Sequence, residues 1–328
     1  MMASKVILIY GATGAIGTNL IHIITKEQPG WTILAATRSG GSNSHLASLN
    51  LPNVKLVKSD IENLEDARQI TKDVDMVFSC IGFPQYEAKY WAVHWPIVVE
   101  NLLQVTSSTR PLIFCDNLYA YGSTTNISPT SKTVAPSPKS KPGIRAMMRE
   151  TFQKRLQSDP RSLVVVGGSD FFGPRLEGKS MLVVSVLSAI AAKRTASVFG
   201  SATVKHDFCY TPDFSNALYT VSVNRDKAMG KFWICPHSLK DLTVAEIATK
   251  AYQMMGMKDK GVTVLPVFMI KFLGLFMTLM REMDEMMPSW TKDYTVDDSD
   301  FCSTFGVRAT PVDQALRETL DYYKSAEK

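Results

Sequence analysis

Short apolar runs alternate with stretches of helical spacing through the first half of the chain. Nearly continuous apolar strands separated by helices are typical of a parallel sheet that is covered on both faces. Right-handed crossovers between such strands give a doubly wound α/β fold. The predicted strands are 6–10, 32–37, 54–57, 76–80, 112–116 and 163–166, and the predicted helices are 15–26, 64–71, 88–105 and 144–156.

The second half has a different pattern, in which helical stretches dominate and the strands are short. Residues 265–280 are apolar almost all round, and Lys271 is their only charge. Because an interfacial membrane helix needs a strongly polar face, we expect a single buried helix or the wall of a substrate pocket here. No run of 18 apolar residues exists, so no membrane span is expected. Helices are predicted over 181–192, 213–223, 244–255, 267–280 and 311–323, and strands over 197–199, 207–210 and 232–235.

Composition excludes several classes of protein. The chain has 328 residues, of which 45% are hydrophobic and 20% charged, as in ordinary folded domains rather than disordered chains. The net charge of +5 is mild, and the basic cluster over 139–155 lacks interleaved aromatic residues, so nucleic acid is not an expected partner.

Cysteine usage bears on the compartment and on metals. The five cysteines are odd in number and show no CxxC spacing, which argues against a disulfide framework and against a metal site. A reducing compartment fits best, and we expect the cytoplasm. The first strand begins so early that no signal peptide is expected, although an organellar transit peptide already removed would leave no trace.

The sharpest motif lies between the first strand and the first helix. A glycine at its start permits a tight turn, a second lets backbone approach a diphosphate at the positive helix N-terminus, and a third allows close helix–strand packing. Coincidental glycines in a turn are the alternative, but the strand–turn–helix context favours a dinucleotide. The motif residues are Gly11, Ala12, Thr13, Gly14, Ala15, Ile16 and Gly17.

The end of the second strand predicts which dinucleotide binds. NAD sites usually carry an acid there for the ribose 2′-hydroxyl, whereas this chain has Arg38, which suits a 2′-phosphate. We therefore expect NADP(H), with NAD as the less favoured cofactor; an exposed arginine on a solvated loop is the alternative. Further cofactor contacts are expected after the third and fourth strands, at Asp60, Ile61, Cys80, Ile81 and Gly82.

Several motifs together resemble a known superfamily. The glycine pattern, DNLYAYG over 116–122, SDFFGP over 169–174 and TPVDQALRETLDYY over 310–323 resemble the NAD-dependent epimerase/dehydratase-like branch of the extended short-chain dehydrogenases/reductases. The resemblance implies a small-molecule substrate, and a homodimer through two helices of the first domain. It also implies a Rossmann domain over 1–172 with return segments around 204–236, and a smaller, mainly helical substrate-binding domain over 173–203 and 237–328.

The chain departs from this superfamily at its catalytic core. Relatives use a Ser or Thr, a Tyr, and a Lys four residues after that Tyr, yet none of the eleven tyrosines here has a Lys at that spacing. Lys141 stands in the Tyr position, Arg145 in the Lys position and Asn117 in the Ser position. Arg145 stays protonated and cannot donate a proton, and Lys141 could act as an acid only if burial depressed its pKa, which the surrounding loop makes doubtful.

Tyr119 is the best remaining proton donor. If the fifth strand continues, Asn117, Tyr119 and Tyr121 point to one side, so Asn117 could orient a substrate oxygen. Arg145 would then lie near the cofactor ribose. Two alternatives stay open: Tyr119 is an aromatic wall of the pocket, or the chain binds nucleotide without catalysis. Asp170, Trp95 and Tyr121 are the expected substrate contacts.

Two positions argue against a nucleotide sugar as substrate. His206 and Gly167 stand where relatives often carry a phosphate-binding arginine, and His206 is expected to be an ordinary surface histidine. Apolar pocket residues are expected at Trp91, Trp95, Phe268, Phe272 and Met277.

These observations favour an NADP(H)-dependent oxidoreductase that acts on a carbonyl or hydroxyl group of an apolar metabolite. The alternatives are an epimerase or dehydratase with a bound nicotinamide cofactor, and a non-catalytic NADP(H)-sensing regulatory protein.

Overall fold

A computed structural model describes residues 4–41, 45–176 and 178–326. Within these residues, seven parallel strands form one sheet in the order β10-β6-β5-β4-β1-β2-β3. The strands are β1 (Val6–Tyr10), β2 (Thr32–Thr37), β3 (Val54–Lys58), β4 (Met76–Ser79), β5 (Leu112–Asn117), β6 (Leu163–Gly168), β7 (Asp170–Phe172), β8 (Ala196–Phe199), β9 (Phe208–Tyr210), β10 (Phe232–Ile234) and β11 (Val262–Leu265).

The helices follow the sheet in chain order. They are α1 (Ala15–Glu27), α2 (His45–Ser48), α3 (Leu64–Ile70), α4 (Ala88–Val105), α5 (Lys141–Ser158), α6 (Ser188–Ala191), α7 (Thr211–Val223), α8 (Arg225–Ala228), α9 (Val244–Met254), α10 (Val267–Gly274), α11 (Thr278–Asp284), α12 (Pro288–Thr291), α13 (Ser299–Phe305) and α14 (Val312–Ala326). The chain also forms 3₁₀ turns at Leu118–Tyr121 and Pro160–Ser162, and a π-helical turn at Val183–Leu187.

Helices cover both faces of the central sheet, as the apolar strands predict. Ile7, Leu8 and Ile9 of β1 are all fully buried, so neither face of the central strand meets water. One face packs against α1 and α7, and the other packs against α4 and α5. The predicted doubly wound α/β fold is therefore confirmed, and the strand order brings the carboxyl ends of β1, β4, β5 and β6 to one edge.

A separate apolar core lies beyond the sheet. Its members come mainly from the π-helical turn, α6, α9 and α14, and include Leu187, Ile247 and Leu316. Two small parallel pairs, β7 with β9 and β8 with β11, frame this region. It matches the helical C-terminal part expected from the sequence, while the exact division into domains stays a prediction.

The apolar stretch over 265–280 does not form the predicted buried helix. The chain breaks at 275–277 and forms two short helices, α10 and α11. Only Ile270 and Gly274 of α10 are buried, whereas Phe268, Phe272 and Met277 are exposed, so the expectation that they line a pocket is wrong. Only one side of α10 packs against the core. Because apolar residues lie on every side of this helix, those on the opposite side are exposed. No helix of the described residues is long and apolar enough to cross a membrane.

Close packing at the start of α1 generates a stability prediction. A Cβ atom on Gly17 would lie 2.3 Å from the Gly11 carbonyl oxygen and 2.8 Å from the Ala12 Cα, both backbone atoms that cannot swing away. Gly17→Ala should therefore lower the free energy of unfolding by about 2 kcal/mol, as overpacking does, in urea titrations. Gly30→Ala is the matched control, because nothing lies within 4 Å of its new Cβ. Equal losses in the two variants would contradict the packing argument.

Candidate functional site

The turn between β1 and α1 lies directly on the end of β4. Gly11 has a positive φ of 75°, and a Cβ there would sit 2.3 Å from the Cys80 carbonyl oxygen. The helix begins at Ala15 with Gly14 as its N-cap, without a capping side chain and without an acid in its first turn. The first-turn N–H groups have no intrahelical partner, so this end favours an anion.

Gly14 differs from the other two glycines of the turn. A Cβ there would meet only the Gly11 carbonyl oxygen, at 3.4 Å, an ordinary contact, and its φ of −73° suits any residue. Packing within the protein therefore does not require glycine at this position. A Cβ would instead fill space beside the helix N-terminus, which is the space that a diphosphate of a dinucleotide needs.

The other predicted cofactor residues lie along the same edge of the sheet. Arg38 follows β2, is exposed, and has no hydrogen-bond or ion-pair partner among the described residues. Asp60 follows β3 and accepts a hydrogen bond from the Glu62 N–H at 3.1 Å. Ile61 is buried, and Gly82, after β4, has open space at its Cβ position. Cys80 and Ile81 connect β4 to Gly82 beside the glycine turn.

The chain turns immediately after β5 rather than continuing as a strand. The Asn117 Oδ1 accepts a hydrogen bond from the Tyr119 N–H at 3.1 Å and starts the 3₁₀ turn. The expectation that Asn117, Tyr119 and Tyr121 share one strand face is therefore wrong, because capping ends the alternation. Tyr121 is buried, with its hydroxyl group 3.5 Å from the Pro129 carbonyl oxygen.

A chain of hydrogen bonds leads from Tyr119 into the protein. Its hydroxyl group accepts from the Tyr86 hydroxyl at 3.3 Å and donates to Asp170 Oδ1 at 3.4 Å. The second oxygen of Asp170, Oδ2, lies 2.9 Å from His206 Nε2. His206 Nδ1 lies 3.0 Å from the Ser289 carbonyl oxygen. Four side chains are thus connected through polar atoms, and Asp170 joins the phenol to the imidazole.

Both ring nitrogens of His206 have polar partners inside the protein. Because a carbonyl oxygen only accepts, Nδ1 is the nitrogen placed to donate to Ser289, while Nε2 faces the Asp170 carboxyl group. The ring is packed among Phe208, Trp290 and Tyr294, with ring centroids 4.4–5.0 Å away. The side chain is only 1% exposed. The expectation of a surface histidine is therefore wrong, since the sequence does not show that Asp170 partners the ring.

Tyr119 is partly exposed, as are Tyr86 and Asp170, whereas His206 is buried. The Tyr119 ring lies parallel to Trp91 at a centroid distance of 6.4 Å. Burial, followed by the proximity of Tyr86 and Asp170, raises the pKa of the Tyr119 phenol well above its ordinary value. The phenol therefore holds its proton at neutral pH. Such a group can transfer a proton, but it does not rest as a phenolate.

Lys141 is buried, contrary to the expectation from its loop. It begins α5, and its ammonium group donates to Glu282 Oε2 and to the Glu282 carbonyl oxygen, at 2.9 and 2.8 Å. It also forms an ion pair with Glu285, and Nζ lies 4.5 Å from the centroid of the Tyr86 ring. The ammonium group thus connects α11 to the tyrosine that donates to Tyr119.

Arg145 also turns inward. Its guanidinium group forms an ion pair with Asp116 at 2.8 Å and lies over the indoles of Trp95 and Trp91, at 4.1 and 5.1 Å. Trp95 is fully buried between this group and the sheet, so the expectation that it lines a substrate pocket is wrong. Its position on the inner face of α4 places it in the core. Contact of Arg145 with a cofactor ribose stays a prediction.

A cluster that the sequence spacing does not reveal lies behind the β6 end. Ligand atoms of Cys209, Cys235 and His237 all lie within 4.8 Å of one another, and all three residues are buried. His237 Nδ1 donates to the Cys235 carbonyl oxygen at 2.7 Å, and Nε2 accepts from the Ser169 N–H at 3.0 Å. Burial lowers the pKa of His237 to about 4. Both ring nitrogens are occupied, so the neutral imidazole has no free lone pair for a metal ion.

A groove of about 490 Å³ lies between α4 and α5, away from the strand ends. Apolar side chains dominate its lining, including Pro96, Val99, Ile144 and Met148. It belongs to the outer side of the two helices rather than to the site. The expected homodimer through such helices stays a prediction.

The sequence pattern of the NAD dependent epimerase/dehydratase family matches residues 7–234. No curated protein gives a match. Among solved structures, the chain is similar to dTDP-glucose 4,6-dehydratase from Bacillus anthracis in complex with NAD. The TM-score is 0.76 at 17% identity, over 98% of this chain and 97% of that chain.

Two epimerase structures have the same fold. UDP-glucuronic acid 4-epimerase from Bacillus cereus, in complex with NAD, has a TM-score of 0.75 at 14% identity, over 98% of this chain and 100% of that chain. UDP-glucose 4-epimerase from Thermotoga maritima, with UDP-glucose, has a TM-score of 0.72 at 16% identity, with coverage of 98% and 100%. At these identities the similarity establishes the fold alone.

The Lys141 ion pairs predict a pH dependence of stability. Partial burial by itself raises the pKa of the Glu282 carboxyl, but hydrogen bonds from Lys141 and the Ala88 N–H bring the pKa below its ordinary value of 4.5. A carboxyl group whose pKa is lower in the folded protein than in the unfolded chain stabilises the fold fully above the unfolded value of 4.5. This stabilisation is lost as the pH falls through the lower, folded-state pKa. Lys141→Met should therefore lower the free energy of unfolding by about 2 kcal/mol near neutral pH, because it leaves two partly buried carboxylates without their cation.

Urea unfolding at several pH values measures this effect. The difference between wild type and Lys141→Met should narrow as the pH falls below 4.5, where Glu282 becomes protonated. Lys89→Met is the matched control, because that lysine pairs with Glu87 at the surface, and it should leave stability unchanged. A difference that stays constant with pH would contradict the assignment.

Proposed function

Because the chain belongs to the NAD dependent epimerase/dehydratase family, we propose that it binds a nicotinamide dinucleotide at the β1–α1 turn and exchanges hydride with a small metabolite. The reacting carbon of the substrate would carry a hydroxyl or carbonyl group. The observation that carries the proposal is the hydrogen-bonded series Tyr119–Asp170–His206, at the sheet edge that also holds the glycine turn. Ligands of doubly wound sheets bind at this edge.

The cofactor proposed is NADP(H). The first-turn amides after Gly14 would hold the diphosphate, and the exposed, unpaired Arg38 would bind a 2′-phosphate. Two of the structures with a similar fold are complexes with NAD, so NAD is the competing cofactor. When bound, the nicotinamide supplies or accepts the hydride.

The side chains would move the proton that accompanies this hydride. In the oxidising direction, the substrate hydroxyl passes its proton to Tyr119 Oη as Tyr119 passes its own to Asp170 Oδ1. From Asp170 the proton leaves to solvent, because the carboxyl group is partly exposed. In the reducing direction each transfer runs backwards. Tyr119 then supplies the proton that the substrate oxygen needs.

In this proposal, the hydrogen bond between Tyr119 and Asp170 takes the place of the missing Tyr–Lys pair. A nearby lysine lowers a phenol pKa, whereas here the pKa of the Tyr119 phenol is raised, mainly by burial. A neutral phenol beside a carboxylate transfers protons through itself without resting as an anion. Lys141 and Arg145 act as positioning residues in this proposal, because Glu282, Glu285 and Asp116 occupy their charges.

The substrate proposed is an apolar metabolite. The core cluster against which Tyr119 packs is aromatic and aliphatic, and it includes Trp91, whose ring lies parallel to that of Tyr119. His206 has both nitrogens occupied and so cannot bind the phosphates of a nucleotide sugar. The family also supports the alternative of an epimerase or dehydratase, in which the hydride returns to the substrate and no cofactor is consumed. A nucleotide sensor without catalysis remains the third reading.

A competition titration tests the cofactor. Wild type should bind NADPH more tightly than NADH, and Arg38→Ala should weaken NADPH binding at least about tenfold by removing a charge-assisted contact, with NADH binding unchanged. Lys154→Ala, an exposed cation on α5, is the matched control and should change neither affinity. Tighter NADH binding by wild type would overturn the proposed preference.

Turnover tests the proton path. With a panel of hydroxy and carbonyl compounds and either nicotinamide cofactor, Tyr119→Phe and Asp170→Asn should each cut turnover at least about tenfold, while cofactor affinity stays the same. Tyr90→Phe is the matched control, since Tyr90 stacks on His94 and its hydroxyl group makes no hydrogen bond within the described residues.

Two measurements distinguish an oxidoreductase, an epimerase or dehydratase, and a nucleotide sensor. Nicotinamide absorbance reports net redox turnover, and product analysis reports an epimerised or dehydrated product with no net change of cofactor. Undiminished turnover in Tyr119→Phe would remove Tyr119 from its role. Binding of cofactor without conversion of any compound would favour the sensor.

A further inference from the structure

The two short helices α10 and α11 form an exposed apolar hairpin, defined here as residues 265–281. It projects large side chains from both helices and from the turn between them, although only Ile270 and Gly274 reach the core. Single exposed apolar residues are ordinary on a protein surface, but a contiguous group of this size marks a contact with another phase or molecule. The exposed fractions are 70% for Phe268, 61% for Phe272, 73% for Leu275, 77% for Phe276, 49% for Met277 and 51% for Leu279.

Only cations accompany these apolar side chains. No aspartate or glutamate occurs between Val262 and Arg281, while Lys271 and Arg281 are both exposed. Lys258 and Lys260 precede the hairpin and are exposed as well. The outer side of the hairpin therefore combines aromatic and aliphatic groups with positive charge.

Two of the acids that follow the hairpin, Glu282 and Glu285, are bound to the body of the protein. Glu282 accepts from the Ala88 N–H at 2.8 Å and from Lys141, and Glu285 also pairs with Lys141. These contacts anchor α11 to the first turns of α4 and α5. An isolated interfacial helix needs a polar face in its own sequence. Here the inner side of the hairpin is bound to the protein instead, so only the apolar side is left outward.

We propose that the apolar hairpin docks on an anionic lipid bilayer. The phenylalanine and leucine side chains enter the boundary between headgroups and acyl chains, and the cations contact lipid phosphates and carboxylates. Charge complementarity selects this occupant, because basic residues beside an apolar surface favour anionic lipids. A second copy of the chain fits less well, since a symmetric contact would bring together two copies of a surface that carries Lys271 and Arg281 and no acid to pair with them. The inference does not depend on the proposed reaction.

Vesicle flotation of the full chain tests this surface. Wild type should float with vesicles of phosphatidylcholine containing about 30 mol% phosphatidylserine, and several-fold less with phosphatidylcholine alone. The double variant Phe272→Ser/Phe276→Ser should lose at least about tenfold of this binding because it removes the inserting groups. Lys271→Glu/Arg281→Glu should abolish the preference for anionic vesicles.

A matched control separates this site from general stickiness. Val184→Ser/Val223→Ser alters two apolar residues outside the hairpin, which are 46% and 43% exposed, and should bind vesicles like wild type. Thermal unfolding of each variant checks that it is folded. Absence of binding to either vesicle overturns the proposal, as does binding that the phenylalanine substitutions leave intact. Self-association that these substitutions abolish, without vesicle binding, would assign the hairpin to a contact between copies.

Discussion

The buried ammonium group of Lys141 is the interaction on which the arrangement around the site depends. A lysine removed from water is costly unless its charge is paired, and here Glu282 and Glu285 pair it while the Tyr86 ring lies beneath it. This group joins α5 to α11 and holds Tyr86. Tyr86 in turn donates a hydrogen bond to Tyr119, and α11 forms the second half of the exposed hairpin.

The same constraint explains why charge is distributed unevenly over this part of the chain. Lys141 pairs with Glu282 and Glu285 on the inner side of α11. Arg145 is paired in the same way with Asp116 beneath two indoles. Both cations, which stand where the resemblance implies the usual Tyr and Lys, are therefore paired inside the protein. In the proposed function, proton transfer falls instead to Tyr119 and Asp170.

The proposed proton path rests on polar groups that are distant in sequence. Tyr119 follows β5, Asp170 begins β7, and His206 precedes β9. A carboxylate between a phenol and an imidazole can accept a proton from one side while the other side stabilises its charge.

Strand patterning and glycine spacing are local properties, and they were enough to predict the sheet, its covering helices and the glycine turn. Gly11 and Gly17 face backbone atoms, as their positions in the turn require. The partners of Lys141, the burial of Trp95 and His206, and the outward side of 265–281 appear only in the folded chain. Each of these depends on contacts between residues far apart in the chain, and an apolar or charged residue does not reveal in sequence whether a partner will cover it. The capping of Tyr119 by Asn117 is local, yet strand alternation does not predict it, because the pattern does not show where the strand ends.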